Sequence, residues 1–390
     1  MSLKVIPPEF AAASRFLNEL VKKKEIAGGA AMLVKHGEVR YREYSGFANI
    51  EAKQPIGPGT IYAIHSMTKV ITSAALLRLY EQGYFHMHQN VSDFLPNYKK
   101  QFVLVEHEGG KTELEPVKSP ITMRHLFTMT SGLAYGNPNT AVGRMMREVL
   151  QNAGGMKTKD YVNEAGKAPL AFHPGEKYMY GFSSDVLGGI SEVITGKRFG
   201  DYLREEIFEP LGMKDSGFYM NAEQLERTAV IYRAEKGKLN PVPREETRAS
   251  AVRPDFESGG GGIYCTMEDY GRFAQMLVNG GSLDGVRILG RKTVDLMVSD
   301  HLNDEQRRMF RESHIGQKGC SYGLGVRVRN SIADAGLNIS PGEFGWDGMA
   351  GCWFSGDMEE DLYALFMIQR MPGGQDWIHY RMLAGMYAGL

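Results

Sequence analysis

The sequence predicts an α+β protein: an antiparallel sheet flanked by helices, with a mostly helical lobe inserted into it. Three observations carry that expectation. Strand patterns gather near both ends of the chain, over residues 30–44 and again over 322–369. Between residues 84 and 209 short helical spacings dominate, separated by Gly, Pro and Asn. Between the first strands and that section stands an apolar run, Val70 to Leu77, with no clean polar face, as in a helix buried on every side. Residues 1–83 and 210–390 are therefore expected to form one mixed lobe and 84–209 the second, with the functional site at their interface.

Taken in order, Phe10, Phe16, Leu17, Leu20 and Val21 recur at near-helical spacing and predict an amphipathic helix over residues 10–24, ending in the solvated run Lys22-Lys23-Lys24. Gly28-Gly29 breaks the chain. Residues 30–35 and 39–44 follow as strands, with His36-Gly37 as the hairpin turn. Gly57-Pro58-Gly59 precedes an extended approach, Ile61 to Ile64, to the buried helix, which Gly83 closes. Residues 121–129, 143–150, 184–194 and 200–207 read as helices, and 209–217 as turn-rich. Ser258 and the run Gly259 to Gly262 lead into a helix over 267–278. A glycine run ahead of a helix can cradle phosphate, but no Gly-Lys-Ser/Thr follows, so close approach to a neighbouring element is the expected use. Residues 322–328 read as a strand, and 349–355 with 363–369 as a hairpin about the acidic turn 357–361. Residues 376–386 read as a final helix.

Composition narrows the function classes. The 390 residues are 43% hydrophobic and 23% charged, as in an ordinary globular protein. Lys and Arg number 45 against 46 Asp and Glu, a net charge of -1, so no basic excess draws the chain to nucleic acid. Cys265, Cys320 and Cys352 are far apart and form no C-x-x-C pair, which speaks against a zinc site or a disulfide framework. His86-Met87-His88 lacks carboxylate or thiolate partners and is read as structural. No apolar stretch reaches membrane-spanning length. The first residues lack the apolar core of a leader, so the cytoplasm is expected, a removed leader being the alternative. Oligomeric state is not legible.

Ser66-Met67-Thr68-Lys69 heads the buried helix. Three residues apart on a first turn, Ser66 and Lys69 share a face and can hydrogen-bond. A serine hydroxyl needs a base to become a nucleophile. A lysine serves once its pKa falls toward neutrality, and burial beside the positive end of a helix dipole drives it there. The Ser66 N–H at that helix end can also donate to an oxyanion. The tetrad alone is weak, since it arises by chance about once in a chain of this length.

Further motifs follow in order: Ile121-Thr122-Met123-Arg124-His125-Leu126-Phe127-Thr128-Met129-Thr130-Ser131-Gly132-Leu133, then His173-Pro174-Gly175-Glu176-Lys177-Tyr178-Met179-Tyr180, then Asp185-Val186-Leu187-Gly188 and the glycine run with Met267-Glu268-Asp269-Tyr270. Together with Ser66 and Lys69 they resemble the serine beta-lactamase-related superfamily, the class C beta-lactamase and penicillin-binding-protein-like group, in particular its esterase branch, over residues 10 to 385. The resemblance implies the beta-lactamase/transpeptidase-like fold, a Ser66 acyl-enzyme and no cofactor.

The family's tyrosine, usually Tyr-x-Asn, comes a few residues after the Pro-Gly-Glu turn. That position selects Tyr180, with Phe182 where Asn is usual, over the literal matches at Tyr135 and Tyr161. Tyr180 is then the implied proton relay. His107-Glu108-Gly109 and His314-Ile315-Gly316 fit the letters of the third motif, but only Trp346-Asp347-Gly348 leads into a strand pair, with Trp in place of Lys or His. By similarity the Met349 N–H becomes the second oxyanion donor beside Ser66, and Trp346, Gly348 and Phe182 border the substrate. Losing the motif's cation removes a charge-assisted hydrogen bond worth ~1.5–3 kcal/mol to a carboxylate. The expectation is therefore an esterase acting on uncharged acyl esters rather than a lactamase or D-Ala carboxypeptidase. An acyltransferase and a binding protein with an idle site are the rivals. A G-x-S-x-G hydrolase elbow is missing.

Overall fold

In the computed structural model, residues 7–107, 111–313, 318–373 and 377–390 are described. The sheet is eight-stranded and antiparallel. From edge to edge its strands are Cys320–Tyr322, Arg327–Arg329, Phe344–Asp347, Trp353–Asp357, Leu362–Ile368, Gly28–Lys35, Glu38–Asn49 and Gln54–Pro55. The chain's two ends thus meet in mid-sheet, with Gly29 opposite Ile368 and Lys35 opposite Leu362. The hairpin turn at His36-Gly37 takes positive φ at both residues (53° and 71°), as a tight two-residue turn requires.

Side chains alternate across a strand, so each face has its own partners. Ala31, Leu33, Ala364, Phe366 and Ile368 pack with Trp353 against the helices Ala11–Lys22 and Trp377–Tyr387. Ala30, Met32, Val34, Tyr363, Leu365 and Met367 enter the main core, which also holds the helices Met267–Val278 and Thr68–Glu81. Leu362–Ile368 is buried at every position, which is why its sequence is an unbroken apolar run.

Thr68–Glu81 is the buried helix the sequence predicts, with Thr68 through Leu77 all inside. Ser66 lies just ahead of it, in the 3-10 turn His65–Met67. His65 itself sits at φ 44°, a left-handed conformation that costs a residue with a Cβ on the order of 1–3 kcal/mol. Ile61–Ala63 pairs with Tyr264–Thr266, so the approach to Ser66 and the exit of the glycine run are one two-stranded ladder.

Several expectations are corrected. Residues 322–328 are not one strand but the turn between Cys320–Tyr322 and Arg327–Arg329, closed by Gly325 at φ 81°. A Cβ at Gly325 would lie 1.9 Å from Ser73 Oγ, so the turn is pressed onto the buried helix. Trp346 and Asp347 end a strand, Phe344–Asp347, and Met349 lies in the turn before Trp353–Asp357. The middle section holds an unpredicted hairpin, Phe102–Glu106 with Thr112–Pro116, and an unpredicted helix, Thr158–Ala165. Residues 108–110 and 314–316, where two third-motif candidates fall, and Asp376 at the head of the expected last helix lie outside the described residues. No helix among the described residues is long and apolar enough to cross a membrane.

Candidate active site

The 3-10 turn and the first turn of the buried helix bring Lys69 Nζ to 3.2 Å from Ser66 Oγ. Lys69 is fully buried, and its amine also donates to the Gly260 carbonyl at 2.5 Å. Burial disfavours the ammonium and draws the Lys69 pKa from 10.5 down to about 7. Arg248 pushes the same way, while Asp185 and Asp347 oppose it.

Gly260 is aimed by the buried carboxylate of Asp185, which accepts from Ser258 Oγ at 2.5 Å and from the Gly260 N–H at 3.0 Å. A Cβ at Gly260 would lie 2.4 Å from Asp185 Oδ2, and one at Gly259 would lie 2.5 Å from the Ser184 carbonyl. Only a chain without side chains passes there, so close backbone approach is the use of the glycine run.

Tyr180 is half-buried, with its phenol close enough to the Ser66 side chain for that contact to lower its pKa. Lys69 Nζ stands 4.6 Å from the centre of its ring. Trp346 Nε1 donates to the Tyr180 hydroxyl at 3.2 Å. Burial raises the Tyr180 pKa, against the lowering effect of the bonds to Ser66 and Trp346. Trp346 is only 2% exposed. Its indole lies against Tyr180 and Tyr322, beside Arg327, whose guanidinium pairs with Asp347 at 3.2 Å.

Gly348 meets a steric requirement. A Cβ there would lie 2.4 Å from the Ile64 carbonyl, so the glycine admits the backbone leading to Ser66. Met349 follows it, exposed, in the turn held by the Gly348 N–H on the Cys352 carbonyl at 2.8 Å. Phe182 is buried at the head of the helix Ser183–Thr195. Its ring touches those of Tyr135, Tyr161 and Phe256, and Tyr161 stacks on Phe256 with centroids 4.2 Å apart.

The sequence profile described as Beta-lactamase matches residues 13–385. The chain belongs to that family. Its relatives include Protein Rv1367c of Mycobacterium tuberculosis, 31% identical over 354 residues that cover 89% of this chain and 86% of the relative. Esterase EstB of Burkholderia gladioli is 29% identical over 363 residues, 86% of this chain and 84% of its own length. Simvastatin synthase (LovD) of Aspergillus terreus, 24% identical, superposes with a TM-score of 0.84 over 98% of each chain, a likeness of fold.

Within this family frame, three groups escaped the sequence reading. Tyr135, set aside as the family tyrosine, lies with its ring centre 5.7 Å from Lys69 Nζ and 5.9 Å from that of Tyr180. Its Tyr-Gly-Asn letters were the signal. Asp185 was quoted as part of a motif without a role. Arg248 had no signal at all, lying in an unpatterned segment. Its charge acts on both Lys69 and His65. His65 is held near a pKa of about 4, mainly by burial, and is neutral.

Proposed function

We propose that the protein is a serine ester hydrolase working through an acyl-enzyme on Ser66. One observation carries this reading: a fully buried lysine amine, poised near neutrality, 3.2 Å from a serine hydroxyl. The likeness to a relative named an esterase supports it. Transfer of the acyl group to another acceptor is the second reading, since relatives named acyltransferases match at similar identity.

In this mechanism Lys69 is the base. Burial pushes the amine and the phenol of Tyr180 in opposite directions, the amine toward its neutral form and the phenol away from phenolate. A neutral amine accepts the Ser66 proton, and a protonated phenol relays it to the departing alkoxide. Trp346 positions the phenol through its N–H. Ser66 Oγ attacks the ester carbonyl, and the oxyanion forms between the Ser66 and Met349 N–H groups. Gly348 keeps the turn carrying Met349 against the backbone at Ile64, and Phe182 with its neighbouring rings borders the acyl chain. Water then attacks the acyl-enzyme and the proton returns through Lys69. Each step uses side chains and backbone N–H groups of this chain, with water. Residues 1–83 with 210–390 and residues 84–209 are read as the two lobes, with Ser66 and Gly260 from the first meeting Tyr180 from the second.

The test is turnover of p-nitrophenyl acetate by the protein and by Ser66→Ala. Hydrolysis is expected to fall to background in the variant, and a fluorophosphonate is expected to label Ser66. Substantial activity in Ser66→Ala overturns the assignment.

A further inference from the structure

Arg248 is exposed, and among the described residues its guanidinium has neither an ion pair nor a side-chain hydrogen bond. Its backbone, by contrast, is tied down. The Tyr264 hydroxyl bonds to the Thr247 side chain and to the Arg248 backbone, and the Ser250 carbonyl accepts the Met220 N–H at 3.0 Å. The adjacent Ala249 packs on a cluster that holds Ala63, Tyr264 and Ala350. Ala63 pairs with Tyr264 on the strand running into Ser66, and Ala350 follows Met349. The segment carrying Arg248 is thus anchored to both stretches that bring the two oxyanion donors of the proposed mechanism.

The nearby carboxylates are already engaged. Asp347 is paired with Arg327, and Asp185 accepts from Ser258 and Gly260. The charge of Arg248 acts on His65, Lys69, Tyr135 and Tyr161, the groups around Ser66, in keeping with a segment that Ala249 pins beside Ala63 and Ala350. A fixed arginine backbone with an unspent guanidinium is suited to capturing a carboxylate in a forked pair.

We infer that Arg248 is a specificity-determining residue that binds a carboxylate on the substrate, so that the preferred esters carry an anionic group a few bonds from the scissile carbonyl. Half-esters of short dicarboxylic acids are the simplest members of that class. The inference rests on the ester-hydrolase reading above. It also replaces the uncharged-ester expectation, because the cation missing at Trp346 is supplied from a different segment.

The experiment compares p-nitrophenyl hemiglutarate with p-nitrophenyl valerate, of similar length and neutral, in the wild type, Arg248→Gln and Arg248→Lys. The readout is the ratio of kcat/KM for the acid ester over the neutral one, each corrected for spontaneous hydrolysis. Arg248→Gln is expected to lower that ratio roughly 10- to 100-fold, chiefly through KM, as loss of a charge-assisted pair does. Arg248→Lys is expected to restore part of it, and added salt to erode the wild-type preference. A ratio that Arg248→Gln leaves unmoved, with both esters still hydrolysed, overturns the role of Arg248 and spares the hydrolase. Hydrolysis of neither ester by the wild type overturns both readings.

Discussion

Replacing Lys69 with methionine should inactivate the protein and stabilise it. The amine is fully buried, and its pKa falls from 10.5 to about 7. At ~1.36 kcal/mol for each tenfold change in proton affinity, the fold opposes the ammonium by roughly 5 kcal/mol. Methionine fills similar volume without charge but leaves the Gly260 carbonyl unpaired, which costs ~1–3 kcal/mol. The expected net gain at pH 6 is about 2–4 kcal/mol. Its pH dependence is the sharper test. Below pH 7 the lysine is protonated in both folded and unfolded states, so the gap between variant and wild type is constant and at its largest. Between about 7 and 10.5 the unfolded lysine holds a proton that the folded one has lost. Wild-type stability therefore rises with pH relative to the variant, by ~1.36 kcal/mol per pH unit, and the gap closes. Urea unfolding of both proteins at pH 6, 8 and 9 measures this directly, because titrations elsewhere cancel in the difference. A gap that stays flat from pH 6 to 9 would refute the claim that burial neutralises this amine, and with it the assignment of Lys69 as base.

Two more outcomes follow from the same geometry. Trp346→Phe keeps a ring beside Tyr180 but removes the N–H that holds its hydroxyl, so kcat/KM for p-nitrophenyl acetate should fall by roughly 2- to 10-fold, with the melting temperature as a control for packing. Gly348→Ala puts a Cβ 2.4 Å from the Ile64 carbonyl, and the backbone must part there. The expected result is a loss of ~1–3 kcal/mol in stability by chemical denaturation. A drop in kcat of about 100-fold should accompany it, from misplaced oxyanion donors.

How much of this was legible depends on whether a feature lives in local pattern or in backbone proximity. The buried helix and the first hairpin were legible because periodicity and turn residues are local, and their bounds fell close to the observed ones. The strand over 322–328 was misread because its apolar residues look continuous, whereas Gly325 turns the chain to fit against Ser73. The hairpin over 102–116 was passed over because Glu106, Glu113 and Glu115 dilute its apolar alternation. At the site, Ser66 and Lys69 were legible because three residues of helix fix their relation. Arg248 was not, since nothing in its neighbourhood marks a segment that Ala249 pins beside Ala63 and Ala350.

The same contrast explains how the fold makes the chemistry. In the proposed mechanism Lys69 serves as base because water is kept from it, by close backbone and by the rings of Tyr135 and Tyr180 alike. Gly260 brings its carbonyl onto the amine because no Cβ stands between it and Asp185. Gly325 lets a sheet turn seal the helix at Ser73, where a Cβ would also lie 3.4 Å from the Lys69 carbonyl. Gly348 lets the strand end press on Ile64, one residue before the left-handed His65 that turns the chain into Ser66. Each glycine removes a Cβ that would strike a neighbour (Asp185 Oδ2, Ser73 Oγ or the Ile64 carbonyl), so an alanine would push the packed segments apart and admit solvent, and solvation would restore the ammonium. Nucleophile activation, as proposed, is in this sense a packing property to which three glycines contribute, and the lysine reports it through its proton.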